Sequence, residues 1–589
     1  MEIPILRDIV VILGLSILII LAFQRVKVPA ILGFMLAGII AGPHGFNLIS
    51  VSSEVELLSE IGIIFLLFVI GIEFSLKELV AIKGTVLFSG SMQVGGTILL
   101  TGFVTYLFGL PLNTAVFVGF LFSLSSTAIV LKLLHERGEV STPNGRLSVA
   151  ILIFQDIIVV PMMLFTPLLT GDIVNPWMAV GQLSLKVLGV IIVVYLLSRY
   201  IVPVILNWVV NTKNRELFIL TITVFCFAIA WLTSSIGLSL ALGAFFAGLI
   251  ISESDYSHQA TANVLPFREI FISFFFISVG TLLNVSFFLH HIVAIVLLTL
   301  LVVLVKMSVI SLTVLLLHYP PRIVLLTAFS LFQVGEFSLL LSSVGVENQL
   351  LDESTYQYFL SISILTMGIT PFVIKYAPTM INSLLLMPIP APVRHRFISL
   401  KHRKHPEAVP IDNMRDHLVV VGYGINGKNI AKAAKTAGIT YVIIDLDPQL
   451  FNQAWAEGEP VVFGDAAEES ILRHVHVQDA RVVVIAISDP ESTKRIVSQV
   501  RSFTRDACVI VRTRYVKEIE ANLRLGADEV VPEEFETSIE IFTRVLRKYM
   551  IADSDIQHLV QSIRKLNYSL LTTIKGVKPK SDNADSPIQ

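Results

Sequence analysis

Residues 147–165 read LSVAILIFQDIIVVPMMLF, an apolar run long enough to cross a bilayer, with one carboxylate, Asp156, near its middle. A charge at that depth costs several kcal/mol, so such a group faces a bundle interior or an aqueous cavity and marks an ion or proton path. Gln155 beside it supplies an amide whose carbonyl is a cation ligand. Such an acid requires groups elsewhere in the chain that partner, gate or regulate it.

Composition sets the class. With 589 residues, 54% hydrophobic, 15% charged and a mean hydropathy of +0.78, the sequence is that of a polytopic membrane protein. Apolar runs fill the first two-thirds; after about residue 390 the text turns to alternating strand-like and helix-like pieces. A net charge of −2 argues against a nucleic-acid partner, and Cys226 and Cys508 fall in different parts, so no disulfide framework is expected. Glu2, Arg7 and Asp8 precede the first apolar run without a clear cleavage site after it, which predicts a retained first helix.

A ruler of about 20 apolar residues per span predicts thirteen helices, over 6–24, 28–43, 55–73, 84–108, 112–134, 146–169, 178–206, 215–234, 237–252, 266–288, 290–317, 322–346 and 354–383. Arg25, Lys27, Lys77, Lys83, Lys132, Arg137, Arg146, Lys213, Arg215, Arg268 and Arg322 then share one side of the membrane. Basic short loops stay in the cytoplasm, so the N-terminus is expected outside and the C-terminal part inside. The Arg394–Lys404 cluster reads as an anchor on acidic lipid headgroups.

Two spans are poor continuous helices. FVGFLFSLSSTAIVLKLL, residues 117–134, carries Ser123, Ser125, Ser126 and Thr127; LLTAFSLFQVGEFSLLLSSVG, residues 325–345, is interrupted by Gln333, Gly335 and Glu336. Small residues also serve close helix packing, but paired interruptions in two halves point to a transporter binding site. Lys306, in TLLVVLVKMSVISLT at 299–313, is the matching basic group. An ion pair with Asp156 is its economical explanation, since an unpaired lysine there is expensive and its position is too central for snorkelling. Glu336 ranks as a second functional acid.

This order of interrupted helix, Gln-Asp helix, lysine helix and second interrupted helix resembles the monovalent cation:proton antiporter-2 family, and within it the Kef-type potassium efflux members. GFMLAGIIAGP at 33–43, SLALGAFFAGLIIS at 239–252 and PFREIFISFFFISVG at 266–280 carry the likeness over nearly the whole chain. The resemblance implies inverted repeats, a homodimer, a core that moves against a dimerisation part, ion binding at Gln155 and Asp156, and Lys306 as counter-charge.

HLVVVGYGINGKNIAKAAKTAG, residues 417–438, is a strand-like run, then Gly422, Gly424 and Gly427 in G-x-G-x-x-G, then a helical pattern. Asp445, 18 residues past the third glycine in TYVIIDLDP, stands where an acid meets a ribose. Strand-like runs recur at 460–464, 480–487, 507–513 and 529–532, completing a doubly wound Rossmann sheet. The letters VGYG at 421–424 lie between a soluble strand and helix, so they are no channel filter. This part resembles the nucleotide-binding (RCK, TrkA-N) regulatory domain of potassium transporters. By that resemblance Asp465, in VVFGDAAEESIL, is the adenine contact, and Arg512 and Arg514, in VIVRTRY, meet a second anion or else form a solvated strand edge. NAD(H) and AMP both remain open as the nucleotide. Ile425 and Asn426 stand where the glutathione-gated pattern has an arginine, and the acidic loop before the tenth span becomes HQATANVLPF, which puts glutathione control in doubt.

The expected organisation is a transmembrane exchanger over 1–385, a basic linker over 386–412, a Rossmann domain over 413–552, and a helix with a disordered tail over 553–589. The function expected is exchange of a monovalent cation, K⁺ or Na⁺, for H⁺ by alternating access in the inner membrane, regulated by a nucleotide. A soluble regulatory partner is left open. A nucleotide-gated channel lacks a filter in the apolar part, and a membrane-anchored NAD(P)H reductase lacks an acid/base pair near a nicotinamide.

Overall fold

Where no water reaches, a chain must satisfy its own backbone N–H and C=O groups, so the apolar runs fold as helices. The computed structural model describes residues 4–26, 28–49, 53–73, 84–140, 142–170, 189, 196–235, 239–252, 254, 256–386 and 414–573. Most of the expected seventh span and of the linker, the basic residues Lys27, Lys77 and Lys83, and the tail beyond 573 lie outside the described residues. Contacts divide the chain into two compact units near Pro388.

The first unit runs α1 (Pro4–Val26), α2 (Ala30–Ala41), α3 (Ser53–Glu73), α4 (Gly84–Leu107), α5 (Leu112–Ser123), α6 (Thr127–Arg137), α7 (Pro143–Phe165), α8 (Val202–Asn211), α9 (Arg215–Ser235), α10 (Leu240–Ser252), α11 (Ser257–Thr281), α12 (Val285–His290), α13 (Ile292–Leu316), α14 (Pro321–Leu331), α15 (Glu336–Glu347) and α16 (Glu353–Leu386). Among the described residues, eight stretches are long and apolar enough to cross a membrane; α14 and α15, bent by 49° at their break, make a ninth, and four shorter apolar helices accompany them. Small residues let backbones touch: a Cβ on Gly248 of α10 would lie 2.1 Å from the Phe68 carbonyl oxygen of α3.

One span differs from expectation. The tenth, read as 266–288 behind a loop, is α11 at 257–281. Nothing in HQATANVLPF stops a helix before Pro266, which removes one backbone bond without ending the element. Asn263 therefore sits inside α11, its Nδ2 donating to the Gln259 carbonyl at 2.9 Å and its Oδ1 accepting from Arg215 Nε at 3.0 Å.

The second unit is built on β1 (His417–Val421), β2 (Tyr441–Asp445), β3 (Val461–Phe463), β4 (Ala480–Ile485), β5 (Cys508–Thr513) and β6 (Glu529–Pro532). All pairings are parallel, in the order β3-β2-β1-β4-β5-β6. Helices α17 (Ile425–Thr436), α18 (Pro448–Ala456), α19 (Glu469–His474), α20 (Pro490–Phe503), α21 (Ile519–Arg524), α22 (Glu533–Lys548) and α23 (Asp553–Thr573) complete it. Strand side chains alternate between faces. Val419 and Val421 join one core with Val483, Ile485, Val509 and Val511, while Val420 packs with Ile443, Ala431 and Phe451 in another. That two-sided burial is why the strands read as continuous apolar runs.

Candidate functional site

Both expected interruptions are present, and they cross. Between α5 and α6 residues 124–126 leave the helix, as do residues 332–335 between α14 and α15. Gly335 N–H donates to the Leu124 carbonyl at 3.2 Å. A Cβ on Gly335 would stand 2.5 Å from the Ser125 carbonyl carbon and oxygen, so this crossing admits only glycine.

A helix end leaves carbonyls without partners, and in a dry interior each must find one. Here side chains supply the donors. Ser125 Oγ donates to Leu331 O at 2.8 Å, and Lys306 Nζ donates to Leu124 O at 2.8 Å, Gln333 O at 2.8 Å and Ser125 Oγ at 3.1 Å. The expected ion pair of Lys306 with Asp156 is therefore corrected. The ammonium, fully buried, has all three of its protons engaged, and among the described residues no ion pair joins it to Asp156. Its counter-charge is the negative end of two half-helix dipoles, α5 and α14, brought together. Hydrogen bonds to a charged group contribute about 1.5–3 kcal/mol each, which is what offsets its removal from water.

The opposite helix ends meet acids. Asp156, half-buried on α7, accepts from Thr127 Oγ1 at 2.8 Å, at the first residue of α6. Glu336, the buried first residue of α15, takes the Ala128 N–H of α6 at 3.4 Å on Oε1. Ser126 caps α6 by accepting from Ile129 N–H at 3.3 Å. Carboxylates thus face two helix N-termini and an ammonium faces two C-termini. Buried polar atoms remain at the second break: Gln333 Oε1 and Nε2, Glu336 Oε2 and Ser338 Oγ have no hydrogen-bond partner.

Gln155 is placed at the first break with its amide committed. Oε1 accepts from Ser125 N–H at 2.7 Å; Nε2 donates to Ser123 O at 3.2 Å and to Gln93 Oε1 at 2.7 Å. Gln93, on α4, is fully buried and is not among the residues the sequence singles out. Its signal is an uncharged amide in an apolar helix, one turn after Gly90, where a Cβ would lie 2.1 Å from the Phe154 ring.

In the second unit the sheet brings the expected residues to one edge. Gly422 has φ +99°, a conformation glycine adopts without strain. A Cβ on Gly427 would collide with the Gly422 carbonyl oxygen, whereas one on Gly424 would meet nothing within 4 Å, so the middle glycine opens onto free space at the start of α17. Asp445, at the end of β2, accepts from Tyr423 N–H at 2.5 Å and Asp447 N–H at 2.7 Å, fastening the glycine turn to the strand. Asp465 follows β3 on the same edge and accepts from Ala467 N–H at 2.9 Å. Tyr423 Oη donates to Glu457 at 2.8 Å, and Lys428 pairs with the same acid at 2.6 Å. The Lys428 hydrogen bond, followed by those of Gln453 and Tyr423, holds the Glu457 carboxyl down at about 2. Beyond β4, Arg512 pairs with Glu533 and donates to Ser488 Oγ at 3.0 Å. Arg514 is exposed, 5.5 Å above the Tyr515 ring. Ile425 is 83% exposed at the first turn of α17.

Residues 11–377 match the family described as sodium/hydrogen exchanger, transmembrane, and residues 418–533 match the TrkA-N domain. A putative K(+) efflux antiporter KefB of Alkalimonas amylolytica is 30% identical over 569 residues, covering 95% of this chain and 84% of the relative. The glutathione-regulated potassium-efflux system protein KefC of Escherichia coli is 27% identical over 571 residues, covering 96% and 89%. Among solved structures, the sodium proton antiporter MjNhaP1 of Methanocaldococcus jannaschii is 19% identical with a TM-score of 0.45, over 62% of this chain and 94% of that one.

Proposed function

The chain belongs to the sodium/hydrogen exchanger family as a multi-pass cation:proton antiporter of Kef type with a TrkA-N domain, and on that footing we propose that Asp156 is its exchange site. One carboxylate cannot hold a proton and a cation together, so competition for it becomes exchange when the core opens alternately to each side. Thr127 Oγ1 lies at Asp156, and the Ser125–Thr127 break supplies further oxygens; Gln155 fixes that break through its amide. Lys306 keeps the two broken helices crossed, and Glu336 balances their N-terminal ends. With one acid exchanging, the cycle is electroneutral. K⁺ is the favoured substrate, with Na⁺ the alternative. The observation that carries this reading is a half-buried carboxylate, bonded to a hydroxyl, at a crossing whose break carbonyls are already satisfied.

The cytoplasmic part is a regulatory nucleotide site in the same proposal. The open backbone at Gly424 fits a phosphate at a helix N-terminus, and Asp445 and Asp465 line the edge where ribose and adenine of NAD(H) or AMP would lie. The bound nucleotide supplies binding energy alone. Its differential affinity for two states limits regulation to about 1–3 kcal/mol, or 5- to 150-fold. The protein works as a homodimer in the inner membrane, N-terminus outside and nucleotide domain in the cytoplasm, as a transporter without catalytic chemistry. The divisions at 385, 412 and 552 belong to this reading.

Proteoliposomes holding the full chain test it. Cation-dependent proton flux is expected with K⁺ exceeding Na⁺, without charge movement on a potential-sensitive dye, and altered by NADH, NAD or AMP but little by glutathione adducts. Coupled flux should vanish in Asp156→Asn with the protein still folded; residual exchange there, or indifference to every nucleotide, refutes the corresponding half.

A further inference from the structure

The first break is held by an amide relay whose direction is fixed at one end. Ser125 N–H can only donate, so Gln155 turns Oε1 toward it at 2.7 Å. That places Gln155 Nε2 on Gln93 Oε1 at 2.7 Å and leaves Gln93 Nε2 to donate to Ser123 O and Thr97 Oγ1, each at 3.1 Å. Thr97 Oγ1 in turn donates to the Gln93 carbonyl at 2.8 Å. Two amides therefore meet at the Ser123 carbonyl, and every polar atom of the Gln93 side chain is used.

We infer that Gln93 is a positioning residue for cation:proton exchange, acting through Gln155 to set where the oxygens of residues 123–127 stand beside Asp156, and thereby cation affinity and the K⁺/Na⁺ preference. Residues 124–126 have left the helix, so their place is decided by the side chains that bind them rather than by a helical ladder. Discrimination between monovalent cations depends on the spacing and number of oxygen ligands. Ser125 N–H and Ser123 O, the two backbone groups gripped by the relay, lie within four residues of Thr127, whose hydroxyl bonds Asp156. The alternative is that the amide pair only glues α4 to α7. The inference rests on the Asp156 reading.

The test uses full-length protein in proteoliposomes and compares KM for K⁺ and for Na⁺, and the maximal rate, in wild type, Gln93→Leu, Gln93→Glu, Gln155→Leu, the Gln93→Leu/Gln155→Leu pair and Asp156→Asn. Gln93→Leu is expected to raise KM for the favoured cation about tenfold and to change the K⁺/Na⁺ ratio, the size of a lost buried hydrogen bond. Its maximal rate should stay within about threefold, and the double variant should be no worse than Gln155→Leu. Gln93→Glu keeps one donor and one acceptor when protonated, so it should follow wild type at low pH and drift to the leucine variant's KM as pH rises. Unchanged KM and ratio in Gln93→Leu, additive losses in the pair, or a rate loss at constant KM would overturn the inference. Should Gln93→Leu fail to assemble, a Gln93→Glu KM that stays at the wild-type value at every pH overturns it alone. Exchange persisting in Asp156→Asn instead brings down the site reading itself, so the two failures are told apart.

Discussion

Lys306 and Gln333 are joined across the second helix break, the ammonium donating to the main-chain carbonyl at 2.8 Å. With the matching bond to Leu124 O, one side chain closes both breaks. This makes Lys306 a fastener of the crossing, and its loss should be felt in stability. Lys306→Met is expected to destabilise the membrane unit by about 1–3 kcal/mol by leaving a buried carbonyl unpaired. If Lys306 were instead the counter-charge of Asp156, Asp156→Asn would relieve the loss. The geometry predicts additive costs in the double variant, read from melting temperatures in detergent.

Gly335→Ala should abolish exchange while Gly368→Ala does not. A Cβ at 335 would stand 2.5 Å from the Ser125 carbonyl, where backbone cannot yield, whereas one at 368 would meet nothing within 4 Å. Proton flux in vesicles, normalised to the amount of protein inserted, checks the contrast; equal activities would contradict the crossing.

In the nucleotide domain two glycines should fail differently. Gly427→Ala pushes a Cβ into the Gly422 carbonyl and should unfold the turn, lowering the domain's melting point. Gly424→Ala points into open space, so it should leave stability near wild type yet block close approach of a phosphate. Calorimetric titration with NADH, NAD and AMP should show affinity lost in the second variant without a change in melting; unaltered affinity would remove the nucleotide from this edge.

His417, at the start of β1, is buried with Nε2 2.9 Å from the Val475 carbonyl and Nδ1 without a hydrogen-bond partner. Burial holds its folded pKa below the ordinary value, about 6.5 in model peptides. The unfolded state then binds more protons between the two values, so stability is full above the ordinary value and falls as pH drops through it. Melting of the second unit, followed in the full chain, should decline on acidification below about pH 6.5, and His417→Phe should flatten that slope. An unchanged slope in the variant assigns the effect elsewhere.

Composition and periodicity establish the class and the cast. Helices follow from apolar runs that have no other way to satisfy their backbone, and a parallel sheet follows from strand-like runs separated by helical ones around Gly422, Gly424 and Gly427. Asp156, Lys306 and both broken segments were legible because charges and breaks are rare at membrane depth and each needs a cause. The polar start of α11 is not legible in the sequence, since a turn of helix outside an apolar run carries little periodic signal. Partnership emerges only once the helices are packed. Whether Lys306 answers Asp156 or the carbonyls of Leu124 and Gln333 depends on where two half-helix ends meet, one lying 182 residues from Lys306 in the sequence and the other 27. Gln93 shows the same limit. A neutral amide in an apolar helix looks like packing until the close approach at Gly90 sets it against Gln155, because a hydrogen bond's direction is a property of the assembled site and not of either residue.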